Sequence, residues 1–410
     1  MAISNITRRA GLAALVGAAV FAASACAADT EGGTSSDTAS GGSAAAAPVK
    51  VGVVTSTSGL LASYGKMFTE GFKAGIDYAT KGTGAAGGHK LEISYHDDAT
   101  DPAKATAAVT SLVGSGTKII TGSVSSGVAA QVAPLAAQNK ILYISGAAAS
   151  DAITGINKYT FRSGRQTYQD VVTSASLVGD VKGKKVVVYA QDYEFGQANV
   201  AAVTAVLGKG KGATVVPVLA PVQSTDFTPF SRKVLDAKPD LVFVAWAGDT
   251  TAAMWQSLEQ QGVFDKTTVV TGLANRASFD SFGPAATKIS FLAHYFAEAS
   301  DNDANKALRA AAKKDGNPDA DIFHNDGFVA AQMVVHAVEQ GGGDDVDKMV
   351  SSLEGWKFTG PKGDMTIRAE DHAMLQPMFT AKLTGTKGHY VPQLIKTLTP
   401  DETAPPVAAK

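Results

Sequence analysis

Two series of short Val- and Ile-rich runs, each separated from the next by a helix-length stretch, limit the folds open to this chain. The first series lies at residues 49–54, 91–95, 118–120 and 141–144, and the second at 186–189, 214–218, 241–245, 268–270 and 289–292. Runs that are apolar throughout, instead of alternating with polar residues, belong to strands covered on both faces. With helices between them they make βαβ units and parallel sheets. Two series imply two sheets. The 410 residues give room for two domains, and the 45% apolar content can fill both cores.

The helical stretches can be read individually. Phe68, Phe72, Ile76 and Ala79 recur at helical spacing, opposite Lys66, Glu70, Lys73 and Asp77, which gives one apolar stripe facing a sheet. Asp101-Pro102 opens the next helix: the carboxylate caps an orphan amide and the proline sits where no donor is needed. Ala103, Ala107, Leu112 and Val113 are expected to face inward. Further helices are expected over 305–314, 326–339 and 346–353, with Phe328, Ala331, Val335 and Val338 on the buried side of the second. From 358 to 398 the pattern returns to alternation through Met365, Ile367, Phe379, Ala381 and Leu383, and 400–410 reads as a loose end.

The N-terminus carries an address. Arg8 and Arg9 precede an apolar stretch, 10–23, that ends in Ala23-Ser24-Ala25-Cys26. This is the pattern of a secretory signal peptide over 1–26, too short to span a bilayer. The position of Cys26 resembles the bacterial lipobox, in which the thiol is acylated and becomes the new N-terminus. Several acyl chains anchor a protein lastingly, because each buried methylene contributes about 0.8 kcal/mol. The expected location is the outer face of the cytoplasmic membrane. Thr7-Arg8-Arg9 also admits twin-arginine export. Residues 27–47 are Ala, Gly, Ser, Thr and Asp with hardly a large apolar side chain, and read as a flexible tether.

Charge and motifs exclude several classes. A net charge of −2 supplies no basic field for nucleic acid. Cys26 is the only cysteine, so disulfides, thiolate metal clusters and cysteine nucleophiles are not expected. Gly82-Thr83-Gly84-Ala85-Ala86-Gly87 has dinucleotide spacing, but it closes a helix instead of opening one. Asp97, Asp98 and Asp101 lack the glycine and glutamate of a Ca²⁺ loop and read as turn and cap residues. No His pair has zinc-hydrolase spacing, and no G-x-S-x-G elbow occurs, so neither catalytic residues nor a metal or cofactor is expected.

Two small-residue loops remain. Ser123, Ser125, Ser126 and Gly127 follow one strand and open a helix, and the loop 145–150 repeats the design after the next strand. Hydroxyls and bare amides at a helix start suit a carboxylate or another oxygen-rich group. Loops at the carboxyl ends of adjacent strands share one crevice, where open α/β sheets bind ligands.

With these residues in place the chain resembles the periplasmic binding proteins of the branched-chain amino acid and amide type, which serve ABC importers. The resemblance spans 48–398. It is carried by Val51-Gly52-Val53, Ser58-Gly59, Tyr64-Gly65, Asp97-Asp98, Asp101-Pro102 and Gly122 to Gly127. Phe161-Arg162, Phe195-Gly196, Thr225-Asp226-Phe227, Gly360-Pro361-Lys362-Gly363 and Gln376-Pro377 continue it in order. It implies the type I fold: two Rossmann-like α/β lobes with parallel sheets joined by three hinge crossovers. Lobe 1 would hold 48–163 and 297–373, lobe 2 would hold 164–296 and 374–398, and 399–410 would be a C-terminal tail. Closure of the lobes on a solute would be read by a membrane permease, with the binding protein itself a monomer and no covalent chemistry required.

Carried over by resemblance, the first-lobe ligand contacts fall on Tyr64, Ser126, Ala147, Ala148 and Ala149. Those of the second lobe fall on Gln166, Tyr193 or Phe195, Trp246 or Ala247, and Ala274 or Asn275, with Trp246 alternatively a core residue. Relatives that bind α-amino acids place an acid in lobe 2 for the ammonium, because a desolvated cation without a partner is costly. The matching places here carry no carboxylate, and Arg165 and Arg276 lie beside them as possible anion partners. This favours a carboxylate or amide without a free amine. Leucine, isoleucine or valine remains the alternative, with Asp192 or Asp249 supplying the missing charge. Two rivals come from other classes. A ligand-sensing receptor module calls for a spanning or output segment, and no second long apolar run follows Cys26. A lipid-anchored hydrolase calls for a nucleophile with a base in reach.

Overall fold

The computed structural model describes residues 46–408. The signal segment, Cys26 and most of the tether expected at 27–47 lie outside the described residues. Two mostly parallel sheets organise the chain. The first contains β1 (Ala46–Thr55), β2 (Ala85–Ala86), β3 (His89–Asp97), β4 (Ile119–Thr121), β5 (Leu142–Ser145) and β6 (Thr160–Arg162), in the order β2-β3-β1-β4-β5-β6. Only β2 runs antiparallel. The second contains β7 (Lys185–Gln191), β8 (Thr214–Ala220), β9 (Leu241–Ala245), β10 (Thr268–Gly272) and β11 (Ser290–Ala293) as parallel strands. A small sheet, β12 (Lys357–Gly360), β13 (Gly363–Ile367) and β14 (Met374–Leu375), follows in sequence. β15 (Met378–Thr384) and β16 (Val391–Leu398) then complete the second sheet as an antiparallel pair beside β11. The order in that sheet is β16-β15-β11-β10-β9-β7-β8.

The Val and Ile runs sit where their composition requires. Val51, Val53 and Val54 are buried on both faces of β1, and Val186 to Tyr189 are fully buried in β7. Helices α1 (Ala62–Ala79), α2 (Pro102–Gly114) and α3 (Ser126–Asn139) belong with the first sheet. Helices α4 (Thr167–Ala175), α5 (Glu194–Val203), α6 (Thr228–Asp236) and α7 (Thr251–Gln260) belong with the second. After β11 come α8 (Asp303–Lys314), α9 (Ile322–Gly341) and α10 (Val346–Leu353), of which α8 and α9 pack against α1. The chain thus passes between the sheets three times: from β6 into α4, from β11 towards α8, and from β14 to β15.

Local signals account for most element ends, and the differences have simple causes. Asp101 caps α2 by accepting from the amides of Ala103 and Lys104. The buried face of α2, however, is Ala105, Val109 and Leu112, with Ala103 and Ala107 exposed. Val109 has more apolar surface to bury than either alanine, so it sets the rotation of the helix. α9 begins before the expected residue 326, because Asp321 and His324 form a reciprocal capping box. The strand β1 begins inside the expected tether, with Ala46 paired to His89. The C-terminal tail is fixed, not loose: Arg368 donates to the Pro405 carbonyl at 2.7 Å, and the Ala408 amide donates to Asp371 at 2.9 Å.

α1 and α9 approach to backbone contact. A Cβ on Gly327 would stand 2.0 Å from the Phe68 carbonyl oxygen, and one on Gly71 would stand 2.0 Å from that of His324. Gly327→Ala is therefore expected to push the helices apart and destabilise the fold by about 1–3 kcal/mol. Gly114→Ala, at the end of α2 with no atom within 4 Å of its added Cβ, should be neutral or slightly stabilising. Chemical denaturation of both variants checks the contrast, and equal effects would contradict the close approach.

Candidate functional site

A cavity lies between the carboxyl edges of the two sheets. Asp98, fully buried after β3, builds its first wall. It accepts from Ser56 Oγ at 2.6 Å, Ser123 Oγ at 2.8 Å and the Thr100 amide at 2.8 Å, which ties three strand-end loops together. Ser125 then caps α3, and Ser126, the first residue of that helix, faces the cavity. Ser126 Oγ accepts from the amides of Ala149 and Ser150, both at 3.2 Å. Its oxygen is thereby saturated and its proton is left to donate, at the positive end of a helix dipole.

Tyr64, on α1, reaches across to the second sheet. Its hydroxyl accepts from the Gly248 amide at 3.5 Å, and its ring lies 4.5 Å from that of Phe323. Burial raises the pKa of its phenol above the ordinary value. Two further bonds join the halves: Ser150 Oγ donates to Glu194 at 2.6 Å, and the Arg276 amide donates to Asp321 at 2.7 Å. These contacts describe a closed cleft. The second wall is aromatic, with Tyr193, Phe195 and Trp246. Trp246 also serves the core: its ring meets Phe227 edge-on at 5.1 Å while its Nε1 donates to Thr250 at 3.0 Å.

The floor is ionic and coincides with the three crossings. Arg165, on the first crossing, lies 3.2 Å from Asp170 and donates to the Ala147 carbonyl at 2.8 Å. Its Nη2 takes no partner among the described residues. Burial raises the pKa of Asp170 against the pull of Arg165. His294, on the second crossing, has its Nε2 3.7 Å from Asp326. Burial, reinforced by the Arg165 and Lys362 charges, holds His294 well below its usual pKa and keeps the imidazole neutral. Lys362 bonds Gln376, on the third crossing, at 3.1 Å. Burial lowers Lys362 and raises Asp326 to about 6.

Of the residues expected from the sequence, Tyr64, Ser126, Ala147, Ala149, Tyr193, Phe195, Trp246, Ala247, Ala274 and Arg165 line this cavity. Four do not. Ala148 turns into the first core, and its carbonyl accepts from Arg162 at 2.7 Å. Gln166 turns to Asp151, donating at 2.6 Å. Asn275 accepts from Ser278 at 2.6 Å. Arg276 is paired with Glu298 at 2.6 Å and is not free to meet an anion. Cys26 lies outside the described residues.

Sequence reasoning missed Asp170, His294, Thr271, Gly272, Trp255 and Phe282, all of which line the wall. Asp170 puts a carboxylate in the wall at none of the places the resemblance marked, Gln166, Ala274 and Asn275. It is nevertheless held by Arg165, and its second oxygen is sealed from water without a partner. Neither Asp192 nor Asp249 lines the cavity. Among the described residues no group of three His, Cys, Asp or Glu side chains is placed to hold a metal ion, and no helix is long and apolar enough to cross a membrane.

A family model described as periplasmic binding protein matches residues 48–388. Among curated relatives, the Leu/Ile/Val-binding protein homolog 6 of Brucella suis biovar 1 is 26% identical, over 81% of this chain and 86% of that protein. Among solved structures, an ABC-type branched-chain amino acid transporter of Rhodopseudomonas palustris CGA009 is 31% identical and has a TM-score of 0.75, covering 88% of this chain and 100% of that one. An ABC transporter solute-binding protein of R. palustris, solved with 4-hydroxybenzoate, is 25% identical with a TM-score of 0.78, covering 86% and 97%.

The floor gives a pH signature. The folded chain holds the Asp326 proton more tightly than the unfolded chain, so this carboxyl's contribution to stability is greatest in acid and falls as pH rises from 3.8 to about 6. Relative to Asp326→Asn, the wild type should lose on the order of 1–3 kcal/mol of unfolding free energy across that window. Denaturant titrations at a series of pH values measure the difference, and a constant difference would contradict the assignment.

Proposed function

The chain belongs to the periplasmic binding protein family, and on that premise we propose that it captures a small carboxylate or amide outside the cytoplasm and delivers it to the permease of an ABC importer. The bodies that close are lobe 1, residues 48–163 with 297–373, and lobe 2, residues 164–296 with 374–398. Anchoring through Cys26, on the outer face of the cytoplasmic membrane, and action as a monomer belong to the same reading. Ser126 makes no hydrogen bond to an imidazole or carboxylate among the described residues, so its hydroxyl is an unactivated donor. Capture and release without chemistry fits that.

One observation carries the ligand class. The closed cavity offers donors at one end, Ser126 Oγ–H and the open Nη2 of Arg165, and aromatic walls beyond. Its one wall carboxylate, Asp170, is already held by arginine. An acid or amide head would find donors there, whereas an ammonium would lose its water without gaining a free anion. The solved relative with 4-hydroxybenzoate supports the acid reading. A second reading, leucine, isoleucine or valine, is favoured by the name of the Brucella relative and by the presence of Asp170 in the wall.

Calorimetry on protein unfolded and refolded to strip bound solute separates the two. Benzoate-like acids should bind while leucine and valine give no heat, and the reverse pattern would reject the acid reading. Ser126→Ala should weaken binding of the acid by about 1.5–3 kcal/mol, the worth of a hydrogen bond to a charged group. Unchanged affinity would leave Ser126 a loop-fixing residue only.

A further inference from the structure

The cavity continues past the cleft into the second lobe. Its wall runs from Trp246 at the end of β9 to Thr271 and Gly272 at the end of β10, and on to Trp255 of α7 and Phe282 in the segment Arg276–Thr287. β10 has β9 on one side and β11 on the other. The exposure of Gly272 therefore comes from the cleft end of a central strand and not from a sheet edge. Its neighbours Thr271 and Leu273 are each 5% exposed, yet a Cβ built on Gly272 meets no atom within 4 Å. The missing side chain leaves a chamber open.

The chamber's walls are apolar. Thr271 Oγ1 is turned to the Val244 carbonyl at 2.9 Å and Ser278 Oγ to Asn275 at 2.6 Å. What remains is the rings of Trp255 and Phe282, packed with centroids 5.1 Å apart, with the Trp255 indole N–H taking no partner among the described residues. A charged group placed here would lose its water for at most one indole donor, whereas a hydrocarbon group would pack on the ring faces.

We propose that Gly272 opens a distal subsite for the aryl or branched-alkyl end of the ligand, so that the solute is longer than a bare benzoate and Gly272 sets its length. The subsite rests on the acid reading above for the position of the head group at Ser126. A side chain at 272 would occupy the chamber and restrict the site to short acids.

The test uses Gly272→Val and Gly272→Leu, with benzoate as the short probe and 3-phenylpropanoate and 4-phenylbutanoate as the long ones. Because an added Cβ meets nothing and valine suits a strand, Gly272→Val should melt like the wild type. Calorimetry on wild type should show the long acids binding more tightly than benzoate. Gly272→Val should weaken the long acids at least about tenfold, the discrimination a methylene-sized change in an apolar pocket supplies, and leave benzoate within about threefold. Ser126→Ala should weaken short and long acids alike. An unchanged ratio of long to short affinity in both Gly272 variants would overturn the subsite. If no acid gives heat with wild type, the acid reading fails separately. The subsite is then decided by valine, leucine and phenylalanine in the same variants, where selective loss of the longest supports it and uniform affinity rejects it.

Discussion

Parallel strands send every strand-to-helix loop to the same edge of a sheet, and the rest of this structure depends on that constraint. The loops after β3, β4 and β5 gather around buried Asp98 and Ser126, and those after β7, β9 and β10 supply Tyr193, Phe195, Trp246 and Ala274. Two such edges turned towards one another make a cleft whose walls come from different sheets. A ligand held between them is touched by both, so its affinity is linked to their separation. The bonds from Tyr64 to Gly248 and from Ser150 to Glu194 span the cleft.

The crossings add an electrostatic joint. Arg165, Asp170, His294, Asp326 and Lys362 are all buried where the three segments meet, and two cations face two carboxylates around a neutral imidazole. Removing one of the four ionisable members other than His294 would leave its partner buried without a counter-charge, which costs far more than a surface pair is worth. The joint therefore acts on stability directly. Through Arg165, whose Nη1 is bonded to the Ala147 carbonyl, it also touches the ligand wall.

The sequence made the architecture readable because the Val and Ile runs are physical statements about burial, and nine of them fall on strands. It was less informative about side-chain direction. In the loop after β5, Ala147 and Ala149 line the cavity while Ala148 between them does not, although all three are small and adjacent. Arg165 and Gln166, and Ala274 and Asn275, divide in the same way. Trp255 and Phe282 carried no legible signal, since an aromatic residue on a helix reads as core until a neighbouring glycine is known to leave space. Asp170 stands in the first turn of α4, an ordinary place for an acid, and only the fold brings Arg165 against it.

The central claim is that two lobes shut on a solute. Small-angle X-ray scattering on stripped protein, before and after saturation with an acid shown to bind by calorimetry, measures this directly. The radius of gyration should fall on loading, and the loaded profile should match the closed arrangement with Tyr64 against Gly248. Identical profiles for stripped and saturated protein would contradict closure and reduce the cleft to a rigid pocket.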